Sequence, residues 1–179
     1  MLRREEEIRD KAVWEAAQEV LLAVRTAPKT RGIDNISILI ADGDEKAAMV
    51  DKMNELSGRP PASRGPAFIR DAKSVAAASA VIMVGAKAPV TGLDCRWCGF
   101  PTCAEKAKSP KVPCVFGAID LGIGLGVAAA SLAGKHIDNR MMYSMGVAAL
   151  ELGWFGPEVT MALGFPLSVT GKSPFFDRG

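Results

Sequence analysis

The chain has little of several things that common active sites require. It contains one histidine, His136, and one tyrosine, so a Ser-His-Asp triad or a histidine-based metal site would have to use that single imidazole. Its net charge is only +2, from 22 basic and 20 acidic residues, whereas nucleic-acid binding favours a concentrated basic face. We therefore expect no nucleic-acid partner.

A secretory signal is also lacking, since the first ten residues are charged rather than apolar. A cytoplasmic location follows as the expectation, and thiols stay reduced there. The one long apolar stretch, 112–133, contains Asp120 and four glycines. A charge at the middle of a bilayer is costly, so we predict a core helix in this stretch and no membrane association.

The chain does have the length and composition of one globular domain. With 179 residues, 49% of them hydrophobic, it can bury a core without cross-links. Helical periodicity predicts helices over residues 3–25, 45–56, 68–78 and 140–152 as well as in the apolar stretch. Short apolar runs predict buried strands over 37–41, 80–86 and 159–163, with an irregular tail from Pro166 onward. The prediction is one α/β (α+β) domain over residues 1–179, with a short buried sheet covered by helices.

All four cysteines lie in one predicted loop, residues 87–114, with the spacing Cys95-x2-Cys98-x4-Cys103-x10-Cys114. Cys-x-x-Cys places two sulfurs on one tight turn, and three close cysteines with a fourth farther away are the usual layout of a 4Fe–4S site. Structural zinc sites usually repeat a Cys-x2-4-Cys pair, and the second half here has none. We predict that the four thiolates bind one 4Fe–4S cluster. A 2Fe–2S cluster, a tetrahedral zinc ion and redox-active thiols are the alternatives.

The other residues of this cysteine loop suit an electron-transfer site. Trp97 lies between two ligands and Phe100 follows the second, and such side chains shield a cluster from water, which shifts its potential. The basic residues of the loop would offset the charge of an anionic cluster and attract an acidic partner; they are Arg96, Lys106, Lys108 and Lys111. An ordinary solvated loop explains these four charges equally well.

Two weaker features lie outside the loop. The basic segment 25–32 follows the first helix, and its Arg25, Lys29 and Arg31 are candidates to grip a phosphate, joined by Lys172 and Arg178 near the C-terminus. Without further evidence, these five basic residues are better explained as ordinary surface charges. Asp120 is a lone carboxylate in an apolar helix, so it either has a partner in the protein or faces a site.

Three segments of the chain resemble a family of ferredoxin-domain proteins of unknown function from anaerobic bacteria and archaea. They are RTAPK at 25–29, DCRWCGF at 94–100 and DNRMMY at 138–143. The resemblance covers nearly the whole chain, and it implies no established activity.

The chain more distantly resembles the FMN nitroreductase fold. Residues 16–40 resemble the start of that fold after its first helix, 118–133 its long central helix, and LGFP at 163–166 its final strand, with Lys172 and Arg178 in a basic tail. This resemblance implies an intertwined homodimer with FMN at the subunit interface. The arginine-rich segment that holds the FMN phosphate in that fold is not clearly present, and the basic residues of 25–32 are the substitutes. The cysteine loop would be an insertion.

Together these features predict a homodimeric iron–sulfur protein on a nitroreductase-like scaffold. Its role would be electron transfer between a redox partner, such as a ferredoxin or a flavoprotein, and a flavin or small molecule. With FMN bound, it would be an FMN-dependent oxidoreductase. A zinc-stabilised, non-catalytic binding protein is one alternative, and a flavin reductase with a redox-sensing cysteine loop is another. No general base stands out, so the sequence predicts no substrate.

Overall fold

A four-stranded antiparallel sheet forms the centre of the computed structural model, which describes residues 2–61 and 64–176. The strands are β1 (Ile36–Ala41), β2 (Ala80–Ala86), β3 (Asp138–Asn139) and β4 (Met161–Ser168), and their spatial order is β1-β2-β4-β3. The predicted short sheet is confirmed, and so is its cover of helices.

Helices cover both faces of the sheet. They are α1 (Arg9–Thr26), α2 (Gly43–Ser57), α3 (Gly65–Ala76), α4 (Cys103–Ala107), α5 (Val115–Gly134) and α6 (Tyr143–Glu151). One apolar core lies between the sheet and the α1–α5 pair, and a second lies between the sheet and α2, α3 and α6. The short α4 belongs to the loop between β2 and α5.

Strand β2 is covered on both faces, which explains why its sequence is apolar at every position. Every one of its residues is buried. Ile82 and Val84 point into the core beneath α1 and α5, whereas Val81 and Met83 point into the opposite core. A strand that is covered on both faces reads as an unbroken apolar run rather than an alternating one.

The predicted end of the last strand was wrong. We expected an irregular tail from Pro166 onward, but β4 continues through Pro166 to Ser168. Gly164 exchanges two backbone hydrogen bonds with Met142, on the β3 side of the strand. Since backbone N–H groups alternate sides, the nitrogen of Pro166 also points away from β2, where its missing hydrogen removes no bond of the β2–β4 ladder.

The last helix begins later than predicted. The helix was predicted from residue 140, but α6 starts at Tyr143, and residues 138–139, which precede the predicted helix, form β3. Helix α6 then lies directly on β4, because a Cβ added at Gly146 would be 1.7 Å from the carbonyl oxygen of Ala162. At the other end of the chain, the predicted helix over 3–25 begins as a 3-10 turn at Glu5–Glu7 before α1.

Helix α5 packs one face into the core and presents an apolar face outward. Leu121, Leu125 and Leu132 are buried against the sheet and α1. Its one charged residue, Asp120, is also buried and accepts hydrogen bonds from the Thr30 backbone N–H at 3.0 Å and hydroxyl at 2.8 Å. By length and a mean hydropathy of 1.8, it is the one helix among the described residues that would be able to cross a membrane.

Candidate functional site

The cysteine loop leaves the scaffold and returns to it at one point. It starts where β2 ends, and the N–H of Cys114 donates to the carbonyl of Ala88 at 3.1 Å. Helix α5 then begins in close contact with the same place, since a Cβ added at Gly117 would be 2.7 Å from the Cβ of Ala88. The absence of a side chain at Gly117 thus allows the first turn of α5 to close the base of the loop.

Cys103 is held by Asp94, the residue before Cys95. The backbone N–H of Asp94 donates to the Cys103 sulfur at 3.3 Å, and the backbone N–H of Cys103 donates to a carboxylate oxygen of Asp94. Cys103 begins the short helix α4, which is capped by Thr102: the Thr102 hydroxyl accepts from the N–H of Glu105 at 3.1 Å. The first and third cysteines therefore lie on segments that are bonded to each other.

Cys114 is the buried cysteine of the set, with 4% of its surface exposed. Burial raises the pKa of its thiol, but hydrogen bonds from the Thr91 hydroxyl and from the N–H groups of Phe116 and Thr91, together with the positive charge of Lys106, outweigh burial and hold the pKa below its ordinary value. The Thr91 oxygen lies 3.6 Å from the sulfur. These surroundings favour the thiolate, which is the form that ligates metals.

The Cys95–Cys98 turn is joined to the start of α5 by an aromatic contact. Trp97 stacks on Phe116, with 5.5 Å between ring centroids and 17° between ring planes. Trp97 is otherwise 68% exposed. Because Phe116 lies two residues after Cys114, this stack places the turn beside the fourth cysteine.

The donor chemistry of the site fits a thiolate-bound cluster. N–H and O–H donors reach two of the four sulfurs, and hydrogen bonds to cysteine sulfur are among the features that set cluster potentials. Over residues 2–61 and 64–176, no group of three or more His, Cys, Asp and Glu side chains is arranged to hold a single metal ion. In a 4Fe–4S cluster each cysteine binds a different iron, so its ligands do not converge on one centre. Cluster binding by these four residues stays a prediction.

The basic residues of the loop fall into two groups. Lys106 is buried, with 3% exposed, although it is charged. The other three are exposed, and Lys108 pairs with Glu105 at 2.8 Å. Sequence reasoning treated all four alike, and no local sequence signal separates the buried lysine from the others.

The residues predicted to bind a phosphate have partners of their own. Arg25 forms an ion pair with Asp34 and donates to the Ile36 carbonyl at 3.0 Å. The Lys29 ammonium donates to three carbonyl oxygens around the end of α1, which is the full number of donors that an ammonium has. Their role in phosphate binding stays a prediction.

The remaining residues of that set are Arg31, Lys172 and Arg178. Arg31 donates to the Thr91 carbonyl at 2.8 Å, which joins the 25–32 segment to the cysteine loop. Lys172 follows β4, and its carbonyl accepts from the Thr170 hydroxyl at 2.7 Å. Arg178 lies outside the described residues.

Sequence reasoning missed three residues that shape the site, namely Thr91, Asp94 and Thr102. Thr102 had a recognisable signal, since Thr102-x-x-Glu105 has the pattern of a capping box at a helix start. Thr91 and Asp94 carry no such pattern, because their importance depends on how the loop folds back on itself.

Comparison with known proteins agrees with this architecture. An uncharacterized protein from Archaeoglobus fulgidus is 40% identical over 99% of this chain and 98% of its own length. Residues 111–178 match the model of the family described as "Uncharacterized protein containing a ferredoxin domain (DUF2148)". Of the four cysteines, Cys114 falls within this matched range.

Solved structures with the same fold include nitroreductases. One is a nitroreductase with bound FMN from Desulfitobacterium hafniense, with a TM-score of 0.62, 15% identity, and coverage of 88% of this chain and 78% of that one. Another is the nitroreductase CinD from Lactococcus lactis in complex with nicotinic acid, with a TM-score of 0.57, 17% identity, and coverage of 98% and 86%. The chain therefore has the nitroreductase fold and belongs to the family of uncharacterized proteins that contain a ferredoxin domain.

Proposed function

We propose that this protein is an iron–sulfur electron-transfer protein whose single 4Fe–4S cluster is bound by Cys95, Cys98, Cys103 and Cys114. The observation that carries the proposal is the set of contacts that joins the segments on which the four cysteines lie. Asp94 is hydrogen-bonded to Cys103, and Thr91 contacts Cys114. Trp97, from the Cys95–Cys98 turn, stacks on Phe116, two residues after Cys114. The ferredoxin-domain family supports the same redox role.

The residues around the sulfurs have distinct tasks in this function. When bound, the cluster supplies one-electron transfer. The backbone N–H of Asp94 and the hydroxyl of Thr91 donate to sulfur, which stabilises negative charge there. The Trp97–Phe116 stack would shield one side of the cluster from water. The Lys106 ammonium would offset the negative charge of the thiolates.

A flavin is the second redox group of the proposal, because a nitroreductase of the same fold contains bound FMN. The chain fits an FMN phosphate in part. Arg25 and Arg31 are each engaged through one nitrogen, and a guanidinium has several N–H donors, so both retain donors for a phosphate. Lys29 retains no donor for a phosphate, because all three N–H donors of its ammonium bind carbonyl oxygens. With FMN bound, the protein would be a flavin-dependent oxidoreductase.

We also propose that the protein is a cytoplasmic homodimer that pairs through the outer face of α5. That face is exposed and uncharged, and it consists of Ala118, Gly122, Ile123, Gly126 and Ala130. Small residues allow two helices to approach closely, and an uncovered apolar face of this length favours a second copy as its cover. A Gly126→Glu variant should elute as a monomer in light-scattering measurements, whereas Gly134→Glu at the end of the helix should leave the mass unchanged. Equal masses for the wild type and Gly126→Glu would refute this interface.

We propose an acidic redox partner because the cysteine loop exposes basic residues. Arg96, Lys108 and Lys111 are exposed residues of the cysteine loop, and positive charge at such a site attracts acidic electron-transfer proteins, a ferredoxin or flavoprotein among them. The partner's association rate should fall steeply with salt, since steering between opposite charges is screened.

Anaerobic purification tests the central proposal. We expect a brown protein with broad absorption near about 400 nm and with iron and acid-labile sulfide in equal amounts. Serine variants of each of the four cysteines should lose this absorption, whereas Ser109→Ala in the same loop should keep it. A colourless protein that contains zinc and no sulfide would refute the proposal in favour of the zinc-stabilised binding protein. Flavin bound without sulfide would favour the redox-sensing flavin reductase.

A further inference from the structure

A cavity of about 560 Å³ lies beside the cysteine loop. It is partly open to solvent and is lined by the first residues of the loop, by residues between Lys106 and Pro113, and by the segment that leads into β4. Its volume lies within the range of small-molecule sites, about 300–1,000 Å³. Lys106 is the one residue with a role in the proposed cluster site that also lines this space.

The walls of the cavity are mostly apolar and stiff. They are formed largely by Pro89, Pro110, Pro113 and Pro157, with Ala88 and Val90 between them. Proline has a fixed φ and a rigid ring, so such a cavity is preformed rather than assembled by the ligand. At the rim, Lys87 and Glu158 form an ion pair, which leaves no net charge there.

Lys106 is the exception among the lining residues. Only 3% of its surface is exposed, and within the described residues its ammonium has no hydrogen-bond acceptor and no carboxylate partner. Other lysines differ: Lys29 and Lys46 donate to carbonyls, and Lys135 pairs with Glu19. Most of the residue is desolvated, and the charge of its ammonium acts on Cys114. A small anion in the cavity would be stabilised by the same partly desolvated ammonium.

We propose that this cavity binds a small organic acid, whose carboxylate pairs with Lys106 and whose apolar body contacts the proline walls. The charge of the site selects the class of ligand. Lys106 contributes one net positive charge, which matches a monoanion and leaves a phosphate dianion uncompensated. The apolar walls disfavour a small inorganic ion, which would have to give up its water without new contacts.

The position of the cavity relates this ligand to the cysteine loop. Ala88, one of its walls, is the residue whose carbonyl accepts from the N–H of Cys114. The bound acid would therefore lie against the same backbone that holds a predicted cluster ligand. The binding itself does not require the cluster, so the two proposals stand or fall separately.

Titration calorimetry on the protein as purified tests the inference, with phenylacetate as the probe and phenylacetamide as its neutral isostere. We expect saturable binding of phenylacetate that is at least about tenfold tighter than that of the amide, since a charge-assisted pair is lost with the amide. Lys106→Met should abolish the preference, whereas Lys108→Met, on the exposed side of the same segment, should retain it.

A second variant separates the cavity from the charge. Ala107→Trp fills the space and keeps Lys106, and we expect it to lose phenylacetate binding while the protein stays folded by circular dichroism. Equal affinity for acid and amide, or binding that survives in both variants, would overturn the proposal. So would the absence of saturable binding by phenylacetate, cinnamate and hexanoate in the wild type.

Discussion

Asp94 and Cys103 hold each other through two hydrogen bonds that run in opposite directions. The Asp94 N–H donates to the Cys103 sulfur at 3.3 Å, and the Cys103 N–H donates to the Asp94 carboxylate. Asp94 has a φ of +44°, a left-handed conformation that Asp and Asn tolerate better than most residues. The residue before the first cysteine thus positions the sulfur of the third.

Asp94→Ala should weaken cluster retention. The change removes the carboxylate acceptor and places an ill-suited residue at a positive φ, and a hydrogen bond to a charged group contributes about 1.5 kcal/mol, or about tenfold in an equilibrium. We expect about tenfold faster loss of the visible absorption in an anaerobic chelator challenge. Asp94→Asn keeps an acceptor and tolerates the backbone conformation, so it should resemble the wild type. Equal loss in the two variants would contradict this interpretation.

Phe116→Ala should make the cluster more sensitive to air. Without its stacking partner, Trp97 would no longer be held over the cysteine turn, and an aromatic pair contributes about 1 kcal/mol. We expect the absorption to bleach about fivefold faster in air-saturated buffer. The matched control is Phe176→Ala, which removes an exposed ring that contacts Arg140 instead of the loop. If both variants bleached at the same rate, the Trp97–Phe116 stack would not shield the cluster from air.

Lys106→Met should lower the reduction potential of the cluster. An added electron is stabilised by nearby positive charge, so removal of the ammonium makes reduction harder and the potential more negative. A loss of about 1.4 kcal/mol corresponds to about 60 mV for one electron. A dye-mediated redox titration followed by electron paramagnetic resonance measures the shift. Lys108→Met, which removes an exposed charge already paired with Glu105, should shift the potential much less; a larger shift there would contradict the assignment.

Asp120→Ala should destabilise the fold rather than the cluster. The buried carboxylate accepts from both the N–H and the hydroxyl of the half-buried Thr30, and the loss of these bonds should cost about 1 kcal/mol. Chemical denaturation at one protein concentration should show this loss of unfolding free energy. In a double-mutant cycle with Thr30→Val, the two effects should not add, because both changes remove the same hydroxyl bond. Additive effects would mean that the two residues act independently.

Acid should remove the contribution of Asp34 to stability. Burial raises the pKa of this carboxyl, but the Arg25 guanidinium, the N–H of Ile36 and the charge of Lys29 outweigh burial and lower it. A pKa that is lower in the folded than in the unfolded state gives stability above the unfolded value, about pH 4, and this stability is lost as the pH falls through the folded value.

The check is the difference in unfolding free energy between the wild type and Asp34→Asn. It should be constant between about pH 6 and pH 7 and should shrink toward zero below about pH 3. The exposed Asp51→Asn provides a control with no such trend. A difference that grows in acid would contradict the direction of the shift.

Much of the scaffold could be predicted because its elements have clear local patterns. The run over 80–86 is apolar throughout and matches β2 residue for residue, since the strand is buried on both faces. The apolar stretch after Cys114 became α5, and Asp120 has the protein partner that one interpretation required. Its partner is Thr30, a residue ninety positions away in the chain, which no local pattern connects to it.

The errors lie where tertiary contacts override local patterns. Residues 138–139 read as a polar break before a helix, yet β4 offers them a partner and they become β3. Pro166 reads as a strand terminator, yet its nitrogen points away from the β2 ladder. The site shows the same division: spacing predicts the four cysteines as ligands, which stays a prediction, whereas the contacts of Thr91 and Asp94 depend on the path of the folded loop.

The hydrogen bond between Cys114 and Ala88 has a consequence for how this protein is put together. Because the loop departs and returns at one point, residues 89–113 form a closed appendage on a complete scaffold. Both apolar cores are built from the rest of the chain, so the body of the protein should fold without metal, unlike small zinc domains that are unfolded when empty. The proposed redox site would thus lie on an appendage, so loss of its cluster should leave the packing of both apolar cores unchanged.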